Sequence, residues 1–457
     1  MKKLLQFFYC LVLVGCGLDS EKTTYFGGKI LKPTDSHVLL YDDISLIDSI
    51  SIQPDGTFLK QIDSLSGGLY NFIHKPEFQY VLLEKGDSLL VRINTLDFDE
   101  SLVYSGKGAE KNNFLIDLFL KIESDHTTIQ RYYQQSSSVF KSHIDSLVAF
   151  QLDRLQELTQ SNDISTFSQS ILKAAVFYNY YTKMEQYLEL HRKHPGCNHL
   201  NALDDTFYSY RSKLDLNDPN LSSFRPYLRY ILKRASNEVI SEKPNITSVN
   251  LFQQNRLRYI HKAIDASFVK DKIARYIAFD YLLNHHAVSP NDAFLKLFYS
   301  LSIGEEIQNE IQQLASNIMA LQPNNSLPQL LVKDTQGKQF LLSKVQNQFP
   351  TVFFFWSYEQ NAHQLATFSR VRNLSKKYPA VSFVGININI EEKPWKQALL
   401  SSPKFRSNVR QYQTADFENL SKKLVLSNLN KVVFTNANHQ IVDGFSNIIN
   451  VTHYLDN

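Results

Sequence analysis

Cysteine is nearly missing from this chain, which has Cys10, Cys16 and Cys197 among its 457 residues. A fold held together by disulfides needs cysteines in pairs. The first is predicted to leave with an N-terminal leader and the second to carry lipid, so Cys197 keeps no partner within the mature chain. The sequence therefore excludes an internal disulfide framework. So low a count does not assign the protein to a redox compartment, because there is little to oxidise.

An excess of either charge is missing as well. Lysine and arginine number 48 against 45 aspartate and glutamate residues, a formal net charge of +3. Lys2 and Lys3 fall in the predicted leader, and without them the 48 become 46, a net charge of +1. Such a balance leaves no electrostatic footprint for nucleic acid or an anionic surface. The sequence predicts no nucleic-acid partner.

The short motifs of common catalytic sites are also missing: a phosphate-binding glycine loop, a nucleophile elbow, a zinc-protease helix or paired carboxylates. One spacing is similar to that of a metal site, H-x-x-H-x-x-C-x-H, formed by His191, His194, Cys197 and His199. Pro195-Gly196 breaks the helix that would align the first two histidines. A loop with incidental histidines is favoured over a zinc site, and the sequence predicts neither a metal nor a cofactor.

What the chain does contain is ample apolar material, with 43% hydrophobic and 12% aromatic residues. At this length two to four domains are expected. The patterns along the chain predict a multidomain α+β protein. Its units are an N-terminal β sandwich at residues 25–105, a central helical domain at 106–323 and a C-terminal α/β domain at 324–457.

The N-terminus has the pattern of a processed leader. Met1-Lys2-Lys3 is a positive start, residues 4–14 are an apolar stretch too short to span a membrane, and Leu13-Val14-Gly15-Cys16 fits the bacterial lipobox. The segment resembles a lipoprotein signal, which implies a signal peptide at 1–15, acylation of Cys16 and a lipid-anchored tether at 16–24. A short uncleaved anchor or an ordinary secretory signal is the alternative.

Short strands separated by turns are predicted for residues 25–105. Pro54-Asp55-Gly56, Gly67-Gly68 and Lys85-Gly86-Asp87 supply turn residues. The apolar segments between them lie at 38–41, 50–52, 57–59, 70–73, 80–83 and 88–93. Several short strands with such punctuation favour an all-β sandwich of roughly 80 residues.

Helical periodicity replaces this pattern from Gly108 to about residue 322. One apolar stripe consists of Ile144, Val148, Leu152 and Leu155, and another of Ile307, Ile311, Leu314, Ile318 and Leu321. Ser302-Ile303-Gly304-Glu305 has the capping-box spacing at the start of the second.

Tyrosine is frequent in the helical region, at positions 178, 180, 181, 187, 208, 210, 227 and 230. A groove lined by tyrosine can bind sugars or peptides, which is one interpretation. Tyrosine at helical spacing more often packs its ring and leaves its hydroxyl at the surface, and this second interpretation is favoured.

A strand, a helix and a second strand are predicted in the C-terminal segment. The unbroken apolar run at 353–356 is typical of a strand buried on both faces. Leu365, Phe368, Val371, Leu374 and Tyr378 then recur at helical spacing, and 381–388 is a second β-rich run. This order predicts a parallel βαβ unit, whose chemistry is expected at the loop that follows the first strand.

This stretch resembles the active-site region of the TlpA-like branch of thioredoxin-fold envelope thiol/disulfide oxidoreductases. Phe355-Trp356-Ser357-Tyr358 and Val381-Ser382-Phe383-Val384-Gly385-Ile386 follow the family pattern in register. The resemblance implies that Gln360 and His363 occupy the positions of the two redox cysteines. Asn430, in Leu429-Asn430-Lys431, occupies that of the cis-proline. A degenerate site at Trp356, Gln360, His363 and Asn430 is therefore expected, with no catalytic thiols.

The resemblance extends over residues 327–457. The hairpin predicted at 330–343, the helix at 393–399 and the strands at 432–435 and 440–444 follow the family order. The turns and strand ends of 25–105 are similar to a β domain of unknown function that often precedes TlpA-like domains in Bacteroidota lipoproteins. These motifs imply architecture and not activity.

Three functions follow as hypotheses. The first is a lipid-anchored cell-envelope protein, facing the periplasm or exposed at the surface, with a redox-inactive thioredoxin-like domain that binds or scaffolds an unknown protein or small-molecule partner. The second is an enzyme of another sort, using Glu359, His363 or the tyrosine-rich region. The third is a working thiol reductase, disfavoured because Cys197 has no resolving partner. Charged groups converging in a pocket near the carboxyl ends of the C-terminal strands would favour an enzyme.

Overall fold

The structure is a computed structural model that describes residues 23–63, 65–197, 203, 205–286, 288–345 and 348–456. The predicted signal peptide, Cys16 and His199 lie outside these residues. Within them the chain is mixed α/β, with three sheets and thirteen α-helices. No helix in this part of the chain is long and apolar enough to cross a membrane.

The chain divides into two compact units. The first comprises residues up to Asn245 together with Ala263–Val269, and the second comprises Ile246–Lys262 and Lys270–Asn457. The helical segment predicted at 106–323 is thus shared between the two units. The division into three domains, with borders near Gly106 and Asn324, stays a prediction.

Two four-stranded sheets begin the first unit. Their strands are β1 (Thr24–Leu31), β2 (His37–Asp42), β3 (Ser45–Ser51), β4 (Thr57–Ile62), β5 (Gly68–His74), β6 (Glu77–Leu83), β7 (Ser88–Asn94) and β8 (Val103–Lys107). One sheet has the order β4-β1-β7-β8 and the other β3-β2-β5-β6. Only the β1–β7 pairing is parallel among them.

Both sheets contribute to one core. Phe26 on β1 and Phe72 on β5, in different sheets, are fully buried with ring centroids 5.6 Å apart. Alternate residues of β2, Val38 and Leu40, face the same cluster. This alternation is the period-2 pattern that the sequence shows, because successive strand residues point to opposite faces.

The turn after β6 is tied to the helices that follow it. Glu84 accepts hydrogen bonds from Lys111 Nζ at 2.7 Å and from the hydroxyls of Ser165 and Ser168 at 2.5 Å each. Lys111 Nζ also lies 2.8 Å from Asp87. Burial acts to raise the pKa of Glu84, but these hydrogen bonds lower it below its ordinary value. The charged turn therefore anchors the sheets to two helices.

Long helices complete the first unit. The helices and 3₁₀ turns are α1 (Phe98–Ser101), α2 (Ala109–Tyr132), α3 (Ser137–Ser161), α4 (Thr166–His191), 3₁₀ turns at Ser209–Lys213 and Pro219–Leu221, and α5 (Arg225–Glu242). The predicted stripe of α3 is buried at Ile144, Val148 and Leu155. Seven of the eight tyrosines named above are buried with their rings in the helical core, at positions 178, 180, 181, 187, 210, 227 and 230.

The expectation that the tyrosine hydroxyls lie at the surface is wrong for Tyr180 and Tyr187. Tyr187 donates to the carbonyl of Gln135 at 2.6 Å, and Tyr180 donates to Asp125 at 3.0 Å. Burial raises the pKa of Tyr187 to about 12. Tyr180 and Tyr187 are thus packed and hydrogen-bonded within the core, because a buried hydroxyl needs an acceptor.

Four helices precede the C-terminal sheet: α6 (Val249–Ala263), α7 (Ser267–Asn284), α8 (Val288–Ser300) and α9 (Glu305–Ala320). The capping box predicted at Ser302 is wrong. Gly304 is the N-cap residue of α9, and its N–H donates to Asp271 Oδ2 at 3.1 Å. Ser302 lies outside the cap, and a carboxylate from α7 satisfies the backbone instead.

One seven-stranded sheet forms the C-terminal part of the second unit. Its elements are β9 (Leu331–Lys333), β10 (Gln339–Leu341), a 3₁₀ turn (Leu342–Lys344), β11 (Thr351–Trp356), α10 (Asn361–Lys377), β12 (Ser382–Asn387), α11 (Glu392–Leu400), β13 (Val409–Thr414), α12 (Phe417–Lys423), β14 (Val432–Thr435), β15 (Ile441–Asp443) and α13 (Thr452–Leu455). The strand order is β10-β9-β13-β12-β11-β14-β15. β11, β12 and β13 are parallel, and β14 runs antiparallel to β11.

The central strand β11 is buried at all six residues, as the apolar run predicts. The β11–β14 register places Val432 opposite Phe354. Because the two strands are antiparallel, the loop before β14 lies at the carboxyl end of β11. The loop that holds Asn430 therefore meets the loop that follows Trp356 at one edge of the sheet.

Candidate functional site

Trp356 ends β11 and is fully buried. Its Nε1 donates to Gln411 Oε1 on β13 at 3.0 Å, and its ring packs edge-on against Phe368 of α10 with centroids 4.7 Å apart. The indole thus links the central strand, a neighbouring strand and the helix. The one polar atom of the indole is therefore already bonded within the sheet.

Gln360 is the N-cap residue of α10, with φ −106° and ψ 68°. Its carbonyl accepts the first helical hydrogen bond, from Gln364 N at 2.9 Å, while its side chain is exposed and makes no capping bond. The position is the one where a helix N-terminus would stabilise a thiolate. An uncharged amide occupies it here.

His363 lies in the first turn of the same helix and faces the loop before β14. Its Nε2 is 3.2 Å from Asn430 Oδ1 and 3.3 Å from Thr367 Oγ1, and its Nδ1 is buried with no hydrogen-bond partner. The backbone N–H of Asn430 donates to Asn428 Oδ1 at 3.0 Å. The structure therefore brings together two of the predicted positions, His363 and Asn430, in one hydrogen-bonded pair.

The loop between strand and helix is held by uncharged groups. Ser357 Oγ lies 2.7 Å from Asn389 Oδ1 and accepts from the backbone N–H of Glu359 at 3.1 Å. The Glu359 side chain is exposed. Burial, together with Glu391 and Glu359, raises the pKa of Tyr358. This edge offers amides, hydroxyls, one imidazole and the carboxylate of Glu359 to an approaching molecule.

The predicted loop with incidental histidines is partly described. His191, the last residue of α4, places Nδ1 2.7 Å from the carbonyl of Tyr133 and stacks on Tyr187. No group of three or more metal-ligating side chains occurs in the described ranges. Cys197 is the one free cysteine there, half-buried.

Solved structures with related folds match part of the chain. A thioredoxin-like protein from Bacteroides caccae is 14% identical, with 60% of this chain and 93% of that chain covered and a TM-score of 0.33. A candidate thiol-disulfide oxidoreductase from Bacteroides vulgatus is 16% identical over 30% of this chain and 96% of that chain, with a TM-score of 0.26. A thioredoxin-like protein from Porphyromonas gingivalis is 15% identical over 28% and 86%, with a TM-score of 0.24.

Part of the chain is therefore similar to proteins of thioredoxin-like fold. The strand order described above agrees with that fold, since β11 and β12 are parallel and joined by α10 while β14 and β15 continue the sheet antiparallel. Neither the low identities nor the low TM-scores carry an argument about activity. A scan against family models and a search of curated proteins found no match.

Two basic residues beside this edge were not singled out by the sequence. Lys431 follows Asn430 directly, is 5% exposed, and donates from Nζ to the carbonyl of Val425 at 3.1 Å. Its Nζ lies 4.4 Å from the centroid of the Phe445 ring, and His286 stacks on that ring at 3.9 Å. Burial lowers the pKa of Lys431 to about 7, with Asp443 acting in the opposite direction. Burial also lowers the pKa of His286.

Both residues line one pocket of about 500 Å³. Its walls come from α7, the loop that precedes β14 and the segment that follows β15. In the family pattern a threonine follows the proline, so a lysine at position 431 was the one available sequence signal. Its burial could not be foreseen, because it depends on Phe445 and on a helix more than 140 residues earlier in the chain.

Proposed function

We propose that this protein is a lipid-anchored cell-envelope protein of the TlpA-like type whose thioredoxin-like domain binds or scaffolds a partner and does not exchange disulfides. One observation carries the proposal. The positions that hold redox cysteines in the resembling family are the N-cap residue Gln360 and the first-turn residue His363, and His363 is paired with Asn430. Disulfide exchange needs a thiolate that attacks and a second thiol that resolves the mixed disulfide.

Neither an amide nor an imidazole supplies that chemistry. Gln360 has no nucleophilic atom, and His363 Nε2 is already engaged with Asn430 and Thr367. The proposed interaction surface is the edge formed by the loops after Trp356 and before β14. Its amides, hydroxyls and imidazole, together with the exposed Glu359, suit recognition of a peptide or a small polar molecule through hydrogen bonds.

The lipid-anchored part of the proposal is supported by the sequence of residues 1–16. The basic start, the short apolar core and the terminal Leu-Val-Gly-Cys occur together in the order that lipoprotein processing requires. A single acyl chain gives only marginal binding to a membrane, so stable anchoring needs more than one chain.

Replacing Cys16 with serine is expected to abolish acylation. Cells that express the native full-length chain and are fed a radiolabelled fatty acid should label it, and the Cys16→Ser chain should carry no label and leave the membrane fraction. Cys197→Ser is the matched control, since it removes another cysteine and should keep the label. The lipoprotein assignment would be contradicted if the Cys16→Ser chain kept the label or if the native chain carried none.

The native protein is expected to reduce insulin disulfides no faster than the blank containing only the small-molecule reductant. The physical reason is the missing pair of thiols at the helix N-terminus. A thioredoxin assayed beside it gives the positive control. A rate above the blank that vanishes in Cys197→Ser would contradict the proposal, since it would show that a single thiol suffices.

An enzyme of another sort is the second candidate, and one observation favours it. Lys431 and His286 converge in a pocket beside the carboxyl end of β11, and the pKa of each is lowered by burial. Perturbed groups that converge in a pocket are typical of catalytic sites. That chemistry is separate from disulfide exchange.

A further inference from the structure

Lys431, which lines the pocket described above, is a lysine with little contact to solvent. The side chain is 5% exposed, and among the described residues Nζ has one hydrogen-bond acceptor, the carbonyl of Val425. An ammonium carries three N–H donors, so two of them find no acceptor in the described part of the chain. The adjacent Phe445 ring favours the ammonium. Burial favours the neutral amine, the form with a lone pair free to react, and burial is the larger effect.

The charged groups around Lys431 come from three directions. Asp443 on β15 favours the ammonium, and the charge of Lys431 acts to lower the pKa of His286, which follows α7. Arg275 and Asp280 of α7 line the same pocket, and Arg275 donates two hydrogen bonds to Glu310 at 2.5 and 2.6 Å. The Glu310 carboxylate on α9 therefore offsets the charge of Arg275.

We propose that Lys431 is a nucleophilic amine that forms an imine with a small hydroxylated aldehyde or ketone bound in this pocket. The pocket joins the amine to short polar side chains at Ser427, Asn428, Ser446 and Asn447. Hydroxyls and amides of this kind pair with the hydroxyl groups of a ligand, and Phe445 supplies an apolar surface for its carbon skeleton. This function goes beyond the proposed binding role and does not depend on it.

The step needs no oxidant or reductant. The Nζ lone pair forms a bond to the carbonyl carbon as the C=O π electrons move to oxygen, and a proton passes from nitrogen to oxygen to give a carbinolamine. The second nitrogen-bound proton then joins the departing hydroxyl. Water leaves, and a C=N bond remains.

The test is competitive labelling of the full-length protein with glyceraldehyde and cyanoborohydride, which traps an imine as a stable amine. At pH 7 peptide mapping by mass spectrometry should find Lys431 labelled at least tenfold faster than the exposed Lys404. An ordinary lysine has a pKa of about 10.4, so only about one in 2,500 is neutral at pH 7. The advantage of Lys431 should shrink as the pH rises toward 10, where exposed lysines lose their protons too.

Propionaldehyde, which lacks the hydroxyls, is the matched probe. It should label Lys431 several-fold more slowly than glyceraldehyde and label Lys404 at a similar rate. Equal labelling of Lys431 by both probes would overturn the hydroxylated class of ligand. Labelling of Lys431 no faster than Lys404 at pH 7 would overturn the proposal itself.

A second measurement tests the neutral amine through stability. The folded pKa of about 7 lies below the unfolded value of about 10.4, so burial of the charge opposes folding fully below pH 7 and less as pH rises between the two values. Lys431→Met should therefore unfold at a higher urea concentration than the native chain at pH 7, with a gap that narrows toward pH 10. A gap that is independent of pH would contradict the premise, and Lys404→Met is the control.

Discussion

Replacing Glu185 with alanine is expected to lower the free energy of unfolding by about 3–5 kcal/mol, because it removes one carboxylate of a buried ion pair and the acceptor of three further buried donors. Glu185 lies in α4, and its side chain is completely buried. Arg211 donates to it from Nε at 2.9 Å and from Nη2 at 2.7 Å. Burial acts to lower the pKa of Arg211, but the hydrogen bonds and charge of Glu185 raise it above its ordinary value. The guanidinium therefore stays charged, and without Glu185 its remaining carboxylate partner among the described residues is Glu238, 2.6 Å from Nη1.

Three uncharged donors converge on the same carboxylate. Tyr210 donates at 2.7 Å, Tyr230 at 3.2 Å and Asn237 Nδ2 at 2.7 Å. Alanine at position 185 would leave each of them buried without this acceptor, at a cost of roughly 1–3 kcal/mol for each group that finds no substitute. The network joins α4, the 3₁₀ turn at Ser209–Lys213 and α5, so its loss should loosen the helical part of the first unit.

Urea unfolding followed by far-ultraviolet circular dichroism measures this effect. Glu189→Ala is the matched control, since Glu189 lies one helical turn later and pairs with Lys193 at 2.7 Å while 35% exposed. An exposed pair is worth about 0–1 kcal/mol, so that variant should stay close to the native protein. Similar shifts in the two variants would show that the buried network does not stabilise the unit.

The C-terminal strands show how much of the fold the sequence predicts. The apolar runs at β11, β12 and β14 were predicted within one or two residues, because a strand buried on both faces needs continuous apolar side chains. β13 was missed, since its sequence, VRQYQT, contains three polar long side chains. Two of them find partners inside the domain: Gln413 Nε2 donates to the carbonyls of Asn389 and Glu391, and Gln411 Oε1 accepts from Trp356. A periodicity argument has no access to such partners.

The candidate site, too, could be predicted only in part from the sequence. The family resemblance predicted positions for Trp356, Gln360, His363 and Asn430, and the structure shows one contact among them, between His363 and Asn430. The pocket around Lys431 could not be predicted, because its walls come from segments distant in sequence. The tyrosine cluster was predicted to be packed, but the acceptors of its hydroxyls depend on how α4 and α5 meet.

Restoring two thiols at the degenerate site is expected to restore a disulfide, but little turnover. In Gln360→Cys with His363→Cys the thiols would lie at the N-cap and in the first turn of α10. Residues three apart within a helix keep their Cβ atoms about 5–6 Å apart. The N-cap backbone at position 360 is not helical, so the Cβ atoms of residues 360 and 363 can come closer than that. A disulfide needs Cβ atoms about 3.5–4.5 Å apart. The helix end should also lower the pKa of the first thiol, unless Glu359 offsets it.

Turnover should stay poor because Asn430 occupies the place of the proline that shapes the substrate-facing loop in the resembling family. Ala366→Cys with Ser369→Cys is the matched control. These residues are exposed and have the same spacing in the same helix, but both have helical backbone. Their Cβ atoms are held too far apart, so the pair should stay reduced under the same oxidant.

The measurement that tests the account most directly is the intact mass of the Gln360→Cys, His363→Cys protein after mild oxidation. Serine at positions 10, 16 and 197 leaves only the two new thiols. The account predicts a mass lower by two hydrogens and no reaction with a thiol-alkylating reagent until a reductant is added. Two thiols that alkylate freely in the folded, oxidant-treated protein would contradict it, since Gln360 and His363 would then not occupy the positions of a redox pair.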